Sequence, residues 1–444
     1  MSAANETIRG TAPAALISAP GSGSGKSLIT AALARLHRNA GRTVRVFKFG
    51  PDYLDPMVLE TASGGPVYQL HPWMTGMSEC RWRLARAAAE ADLVLVEGAM
   101  GLFDGDPSSA DLAAATGLPV VPVIDASGMA QTFAAVAQGL AYYRNDIKLS
   151  AVIANRVGSA GHGRMLADAL PEALPLLGAV PRNEALNIPD RHLGLVQANE
   201  ITDLDERLDR AAEVLAEAGL DQLPAEVELA AEPPPEPPRL LEGKRIAIAR
   251  DAAFAFIYRA NRDLLAAMGA ELIEFSPLVD TELPACDALW LPGGYPELHA
   301  AQLSANSAMH EALRAFHAAD RPILAECGGL MYCMDELLDD EERLHAMPGL
   351  LPGRAIMAGK LTGLGLQSLT LSDGELRGHT FHHSRLETDR EPVARTTRNR
   401  TGTEGEAVYR SRNLVASYYH AWFPSAPELV AQLFLGTAQE LDHA

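Results

Sequence analysis

The chain has 444 residues, a formal net charge of −20, 48% hydrophobic residues and 21% charged residues. That length predicts about two to three domains, each large enough to bury a core. The acidic balance excludes a general nucleic-acid or anionic-membrane binder, which needs a basic footprint, while an anionic small molecule needs only local positive charge.

The first residues, MSAANETIRGTAPAALISAP, lack a basic region followed by a long apolar run, so no signal peptide is expected. No run of about 18 apolar residues occurs, so no membrane span is expected either. AALISA (14–19) is the first predicted strand, followed by a Gly-rich loop and a helix from Ser27 to about Asn39. TVRVFKF (43–49), DLVLVEG (92–98), LPVVPVID (118–125) and LSAVIANRV (149–157) read as further buried strands, with helices such as ECRWRLARAAAEA (79–91) between them. Strands that are almost continuously apolar and alternate with helices predict a parallel sheet covered on both faces. AEPPPEPPR (231–239) holds five prolines in nine residues, which no helix or central strand accommodates. It predicts an extended linker over 231–242, separating one domain at 1–230 from a second at 243–438.

The second domain opens on RIAIARD (245–251), a helix over about 258–268, then ELIEFSP (271–277), ALWLPGG (288–294), RPILAE (321–326) and, late, LVASYYHAWF (414–423). This is again an α/β pattern. Short alternating runs over 363–420 predict some antiparallel or mixed sheet. The four cysteines, Cys80, Cys286, Cys327 and Cys333, show no paired C-x2-C spacing. Reduced thiols in a cytoplasmic enzyme are therefore expected.

Two motifs carry chemistry. The first is SAPGSGSGKS (18–27), close to G-x4-G-K-[ST] but with Pro20 at the first position. Gly21, Ser22, Gly23, Ser24 and Gly25 form a loop whose backbone N–H groups can turn inward. Lys26 can reach terminal phosphates and Ser27 can ligate Mg²⁺, at the N-terminus of the following helix. A flexible Gly/Ser loop is the bland alternative. A magnesium site also needs carboxylates, and KFGPDYLDP (48–56) and VEGAMGLFDG (96–105) end strands with Asp52, Asp55, Glu97 and Asp104. In an open parallel sheet the ligand lies at the carboxyl ends of the strands, so these acids are candidates for that site; otherwise each is a solvated turn acid or helix cap.

The second motif is AECGGLMYC (325–333). An apolar strand ends at Cys327, and Gly328 and Gly329 open a helix, the arrangement of an exposed nucleophile on a sharp turn. The helix N-terminus favours a thiolate. His420 is placed to take the thiol proton, and Gly293 and Gly294 of LPGGYPE, with Gly328, offer N–H groups for an oxyanion hole. A buried structural cysteine is the alternative for Cys327, and the expected one for Cys333; Cys80 and Cys286 carry no motif. A thiol nucleophile and an ATP site on one chain point to glutamine-dependent amidation, in which the thiol frees ammonia and ATP activates a carboxylate to receive it.

Over nearly its whole length, about 13–436, the chain resembles the cobyrinic acid and hydrogenobyrinic acid a,c-diamide synthase family. The marks are APGSGSGKS, KFGPDYLDP, VEGAMGLFDG, SSADLA, IDASGMAQT, ANRVGS, VPRNEALNIPDRHLGL, LPGGYPELHA, ECGGLMYC and GHTFHHS. The resemblance implies a P-loop domain similar to dethiobiotin synthetase, joined to a class I glutamine amidotransferase domain. It implies that ATP with Mg²⁺ phosphorylates the c and then the a acetate of a corrin polycarboxylate, and that ammonia from L-glutamine attacks each acyl phosphate. Position by position, Cys327 resembles the glutaminase nucleophile, His420 its base, and Lys26 and Ser27 the phosphate and Mg²⁺ ligands. Asp52, Tyr53, Leu54, Asp55, Glu97 and Asp104 match the acyl-phosphate site, with Ser27, Asp52 and Glu97 as the expected metal ligands. Arg182, Arg191 and His192 are candidate cations for the substrate carboxylates. Ammonia released into water would be protonated and lost, so a shielded path and a linker that lets the domains dock are expected. A homodimer follows only by analogy with dethiobiotin synthetase.

The sequence departs from relatives at three points. Trp422 stands where many class I amidotransferases carry a Glu two residues after the His, His71 where an Asp is common, and Thr380 where a Glu is common. His379, His382 and His383 have a spacing reminiscent of a metal cluster but are read as substrate or interface residues. Nickel-sirohydrochlorin a,c-diamide synthase and cobyric acid synthase are neighbouring readings. A P-loop regulatory ATPase with an inactive amidotransferase-like binding module is the reading from another class; the retained Cys327 and His420 argue against it.

Overall fold

The computed structural model describes residues 6–183, 190–191, 194–195, 197–372, 374–438 and 441. It divides into two compact units, Met1–Pro234 and Pro235–Ala444.

In the first unit, strands β1 (Ile8–Ser18), β2 (Val44–Phe49), β3 (Tyr68–Leu70), β4 (Leu93–Glu97), β5 (Val120–Asp125), β6 (Val152–Val157) and β7 (Leu176–Pro181) form a parallel sheet in the order β3-β2-β4-β1-β5-β6-β7. Helices α1 (Lys26–Asn39), α2 (Leu54–Ser63), α3 (Met77–Glu90), α4 (Ser109–Thr116), α5 (Thr132–Tyr142), α6 (Ala160–Ala169) and α7 (Leu204–Glu217) intervene or follow. Alternate side chains of a strand point to opposite faces, and here each face has its own core. Ala14, Leu16, Val94 and Val96 pack with Leu84, Ala85 and Ala88 of α3. Ala15, Ile17, Leu93 and Leu95 pack with Ile29 and Leu33 of α1 and Leu208 and Leu215 of α7. Burial on both faces is why these strands read as unbroken apolar runs.

β1 starts six residues before the predicted position, because Ile8–Pro13 pair antiparallel with β10 (Glu226–Ala231). Two short strands, β8 (Asp190–Arg191) and β9 (Gly194–Leu195), pair with each other. Residues 232–239, the proline-rich stretch, carry neither helix nor strand.

In the second unit, β11 (Arg245–Ala249), β12 (Glu271–Phe275), β13 (Ala288–Leu291), β14 (Ile323–Glu326) and β23 (Leu414–Ser417) are parallel neighbours in the order β12-β11-β13-β14-β23. The sheet continues antiparallel through β22 (Glu404–Ser411), β21 (Ala394–Arg398), β18 (Gly363–Leu371), β19 (Gly374–His382) and β24 (His420–Trp422). A separate sheet joins β15 (Met334–Leu338), β16 (Leu344–Ala346), β17 (Leu351–Met357) and β20 (Ser384–Glu387). Helices α8 (Arg259–Ala267), α9 (Ala300–Ala305), α10 (Ser307–Ala318), α11 (Gly328–Cys333) and α12 (Pro427–Leu435) complete it. The mixed sheet predicted over 363–420 is present. The predicted strand 414–423 is two strands: β23 runs parallel to β14, whereas β24 lies antiparallel to β19. The chain turns between them at Tyr418 and Tyr419, where Ser417 Oγ accepts the Tyr419 N–H at 3.1 Å.

Candidate functional site

The first site lies where β1 turns into α1. Gly25 adopts φ +91°, and a Cβ there would stand 2.4 Å from Asn155 Nδ2, so glycine is required on both counts. Two carbonyls of the loop are engaged from β6: Asn155 Nδ2 donates to Ser24 O at 2.9 Å and Arg156 Nη1 to Gly23 O at 3.1 Å. Arg156 also donates to Asp125 Oδ2 at 2.5 Å. With those carbonyls held by side chains, the loop's N–H groups are left to face an anion at the start of α1.

Ser27 Oγ donates to Glu97 Oε1 at 2.5 Å and to Asp55 Oδ2 at 3.2 Å. Behind them lies Lys48 of β2, its side chain 3% exposed, which donates to Glu97 Oε1 at 2.7 Å and bonds Asp55 directly. Burial disfavours the Lys48 ammonium, but Glu97, Asp55 and Asp52 more than reverse that and raise its pKa. Burial also acts against the Asp55 carboxylate, yet Lys48 holds it below its ordinary value. Glu97 is pushed up to about 7, by burial first and then by Asp55. Burial, followed by the nearby Lys48, lowers the pKa of Lys26.

Asp52 is the outlying acid. Its Oδ1 accepts the Leu54 and Asp55 N–H groups at 2.9 and 3.2 Å, capping α2, and its Oδ2 is 3.6 Å from Lys48 Nζ. Tyr53 and Leu54 stand at that same helix start. Asp104 is exposed, and its Oδ2 accepts the Gly101 N–H at 2.9 Å, closing its own turn. Glu97 Oε2 is buried and has no hydrogen-bond partner among the described residues. No cluster of three or more His, Cys, Asp or Glu suited to a metal occurs among the described residues. The oxygen groups that meet at Ser27 are the Glu97 and Asp55 carboxylates, with Asp52 beside Lys48. Arg191 lies in β8, His192 lies outside the described residues, and Arg182 is exposed.

The second site lies at the end of β14. Cys327 adopts φ +48°, ψ −103°, a strained conformation for a residue with a side chain. Its N–H donates to Ser417 O at 2.8 Å. The expected exposed thiolate is not found. Cys327 is 5% exposed, and burial, reinforced by Glu297, pushes its thiol up; desolvation outweighs the N-terminus of a helix only six residues long. His420 is equally buried, and that burial, with His379 and His382 nearby, drives its pKa well down. The resting pair is thus an uncharged thiol and a neutral imidazole.

The glycines named from the sequence gather here. A Cβ on Gly293 would lie 2.3 Å from His420 Cε1, and a Cβ on Gly328 3.0 Å from Gly294 N. Both positions must be glycine for the chain segments to approach. Glu297, in the short helical turn Pro296–His299, is pushed up to about 8 by burial.

Trp422 supplies no acid to orient His420; it is fully buried and meets Tyr258 edge-on, with centroids 5.1 Å apart. What faces His420 is His379, directly opposite it in the β19–β24 register, its ring stacked at 5.0 Å and 15°. Tyr258 Oη lies 3.0 Å from His379 Nδ1. His382 stacks on Tyr418 at 3.8 Å and lies 3.3 Å from Glu406 Oε1, which also accepts from Thr380 Oγ1 at 3.1 Å. His379 and His382 are both buried, His379 against His420 and His382 against Tyr418. His71 is likewise internal: its Nδ1 accepts the Met74 N–H at 3.1 Å, and burial lowers its pKa to about 4.

Sequence reasoning named His379 but not its stacking on His420, and it missed Lys48, Asn155, Arg156 and Glu326. Lys48 carried a local signal, a lone lysine ending an apolar strand ahead of two aspartates. Glu326 had a similar one, an acid closing a buried strand. For the others only the sheet order brings them to the site.

Two family models match the chain. One, described as a CobQ/CobB/MinD/ParA nucleotide binding domain, spans residues 15–196, and the other, a CobB/CobQ-like glutamine amidotransferase domain, spans 245–427. The hydrogenobyrinate a,c-diamide synthase of Stutzerimonas stutzeri is 56% identical over 421 residues, covering 95% of this chain and 98% of the relative. The enzyme of the same name from Pseudomonas aeruginosa is 54% identical over 430 residues (97% and 99%), and the cobyrinate a,c-diamide synthase of Herminiimonas arsenicoxydans 50% identical over 425 (94% and 96%). With a phosphate loop in one unit, a strained cysteine and a buried histidine in the other, and this similarity along nearly the full length, the chain belongs to the cobyrinate and hydrogenobyrinate a,c-diamide synthase family.

Proposed function

We propose that the chain amidates the a and c acetate carboxylates of cobyrinic or hydrogenobyrinic acid, using ATP and L-glutamine, in cobalamin biosynthesis. The observation that carries this is the pairing of a phosphate loop beside buried carboxylates with a separate Cys327–His420 site on the same chain. Residues 1–230 act as the synthetase domain, 231–242 as linker and 243–438 as the glutaminase domain.

In the synthetase domain the substrate carboxylate attacks the γ-phosphorus of ATP, giving an acyl phosphate and ADP; ammonia then displaces phosphate to leave the amide. Gly21 to Gly25 cradle the phosphates and Lys26 neutralises charge that develops on the transferred group. Lys48 keeps Asp55 and Glu97 fixed and ionisable next to Ser27. Ser27 and Glu97 fit Mg²⁺: a hydroxyl and a buried, unsatisfied carboxylate oxygen beside a phosphate loop suit an ion that takes few protein ligands and completes its shell with water and phosphate. Bound there, Mg²⁺ would supply Lewis-acid stabilisation of phosphate charge. Asp52 is assigned to that shell from the resemblance, and Asp52, Tyr53, Leu54, Asp55 and Asp104, with Arg191 and His192, to the substrate side.

In the glutaminase domain His420 takes the Cys327 proton as the sulfur attacks the glutamine amide carbon. The N–H groups of Gly293, Gly294 and Gly328 are candidates to receive the oxyanion. Collapse releases ammonia, and water then frees glutamate from the thioester. An uncharged resting pair keeps the thiol unreactive until glutamine arrives. The four free cysteines support a cytoplasmic setting, and the resemblance of the first domain supports a homodimer.

The test is incubation with ATP, Mg²⁺ and glutamine plus either cobyrinic or hydrogenobyrinic acid, followed by product mass. Two amides gained on one acid assigns both the reaction and the corrin. ATP hydrolysis without amidation of either acid refutes the corrin assignment and directs attention to nickel-sirohydrochlorin.

A further inference from the structure

His420 sits on β24, the last strand in the path of its sheet, which pairs with β19 along one edge. No strand covers the other edge among the described residues, yet its backbone groups are satisfied. Ala421 N–H donates to Glu326 Oε1 at 2.8 Å, Ala421 C=O accepts from Asn261 Nδ2 at 2.8 Å, and Phe423 N–H donates to Asn261 Oδ1 at 2.9 Å. Side chains from β14 and α8 thus stand in for a missing strand, as buried backbone groups require.

The two side chains do different things. Asn261 attaches β24 to α8, which is outside the reacting pair. Glu326 is the residue before Cys327, and Ala421 is the residue after His420. Its carboxylate therefore ties the chain next to the nucleophile to the chain next to the base, across 95 residues of sequence and between strands that are not sheet neighbours. The second oxygen, Oε2, accepts the Trp290 Nε1–H at 2.7 Å, so the carboxylate cannot swing without breaking both bonds. Glu326 is 4% exposed.

Resting on the glutaminase assignment above, we propose that Glu326 is a positioning residue, whose carboxylate sets the spacing of Cys327 and His420 by holding the Ala421 N–H. His379 fixes the plane of the His420 ring from the β19 side, and Glu326 fixes the main chain that carries it. The hydrogen bonds of Glu326 go to Ala421 and Trp290, so it acts through the main chain and not as a reacting group. Gln at this position keeps the shape but turns one acceptor into a donor that faces an N–H.

The test uses the full chain as wild type, Glu326→Gln, Glu326→Ala and Cys327→Ala, with glutamate release and iodoacetamide alkylation of Cys327 measured across pH. Misplacing a catalytic pair by about 1 Å costs on the order of 100-fold, so Glu326→Gln is expected to lower kcat by about 10- to 100-fold while KM for glutamine stays within about threefold. Removing the Glu326 charge by itself would ease ionisation of the Cys327 thiol, which burial and, to a lesser degree, that charge push up, so a half-maximal pH for alkylation that nonetheless moves up in Glu326→Gln reports loss of the placed base, and one that only moves down counts against the inference. If Glu326→Ala does not fold, Glu326→Gln alone decides. A folded Glu326→Gln with wild-type kcat and alkylation profile, while Cys327→Ala is inactive, overturns this inference and leaves the glutaminase assignment standing. Glutamate release that survives in Cys327→Ala overturns that assignment and this inference with it.

Discussion

Replacing Lys48 with methionine keeps the side chain's length and removes the one cation buried among the phosphate-loop carboxylates. At an effective dielectric constant of about 20, unit charges 2.7 Å apart, as Lys48 Nζ and Glu97 Oε1 are, attract by about 6 kcal/mol. Asp55 adds a second close pair. Withdrawing an ammonium from water costs several kcal/mol and offsets much of this. The variant, however, leaves Glu97 and Asp55 buried together without their direct ion-pair partner and with only half-buried Lys26 nearby; breaking a buried pair in this way costs about 3–5 kcal/mol. The measurement is hydrogen exchange read peptide by peptide at pH 8, above the value of about 7 to which burial raises Glu97. Peptides from β1, β4 and α1 should lose protection equivalent to about 3–5 kcal/mol, while peptides from β11 to β14 serve as an internal control and stay unchanged. The loss should shrink as the pH falls, because a protonated Glu97 needs no cation. Glu97→Gln in the same chain should restore much of the protection, since the two sites are in contact and their effects do not add. A loss under about 1 kcal/mol at pH 8 would refute the claim that Lys48 balances the charge of these buried carboxylates.

Other outcomes follow from single positions. Gly293→Ala would put a methyl 2.3 Å from His420 Cε1; glutamate release should fall by about 100-fold or more, with ATP binding intact. Gly25→Ala combines φ +91° with a Cβ 2.4 Å from Asn155 Nδ2; strain of about 1–3 kcal/mol predicts a loss of ATP affinity of about 5- to 150-fold, read by titration with a fluorescent ATP analogue while glutamate release continues. Glu326 also predicts a pH effect on stability. Burial raises its pKa from 4.5 to about 7, so between those values the folded chain binds more protons than the unfolded one and its stability falls as pH rises. The shift corresponds to about 3 kcal/mol, and Glu326→Gln should lack this slope; parallel urea-unfolding curves of wild type and variant over pH 4.5–7 would contradict it.

The relation of sequence to site differs between elements. The phosphate loop, the Cys-Gly-Gly turn and the buried parallel strands were legible because their signals are local: glycine at positive φ, a strand that ends abruptly, an apolar run without alternation. The region 414–423 shows where that fails. Ten mostly apolar residues read as one strand, yet they form two, on different partners, because the break at Tyr418 and Tyr419 is made by where β14 and β19 lie. The same limit hid the state of Cys327. The turn and the helix N-terminus, both visible locally, argue for a thiolate; burial, which depends on everything packed around the turn, reverses the result.

Periodicity, turn chemistry and residue type therefore determined the two α/β units, the proline-rich stretch without helix or strand, and the residues proposed as the reactive groups. The tertiary structure decided how those groups are held. Lys48 meets Glu97 across 49 residues and Glu326 meets Ala421 across 95. Such contacts depend on strand order, a long-range outcome of packing two faces of a sheet at once, and no window of sequence contains both partners.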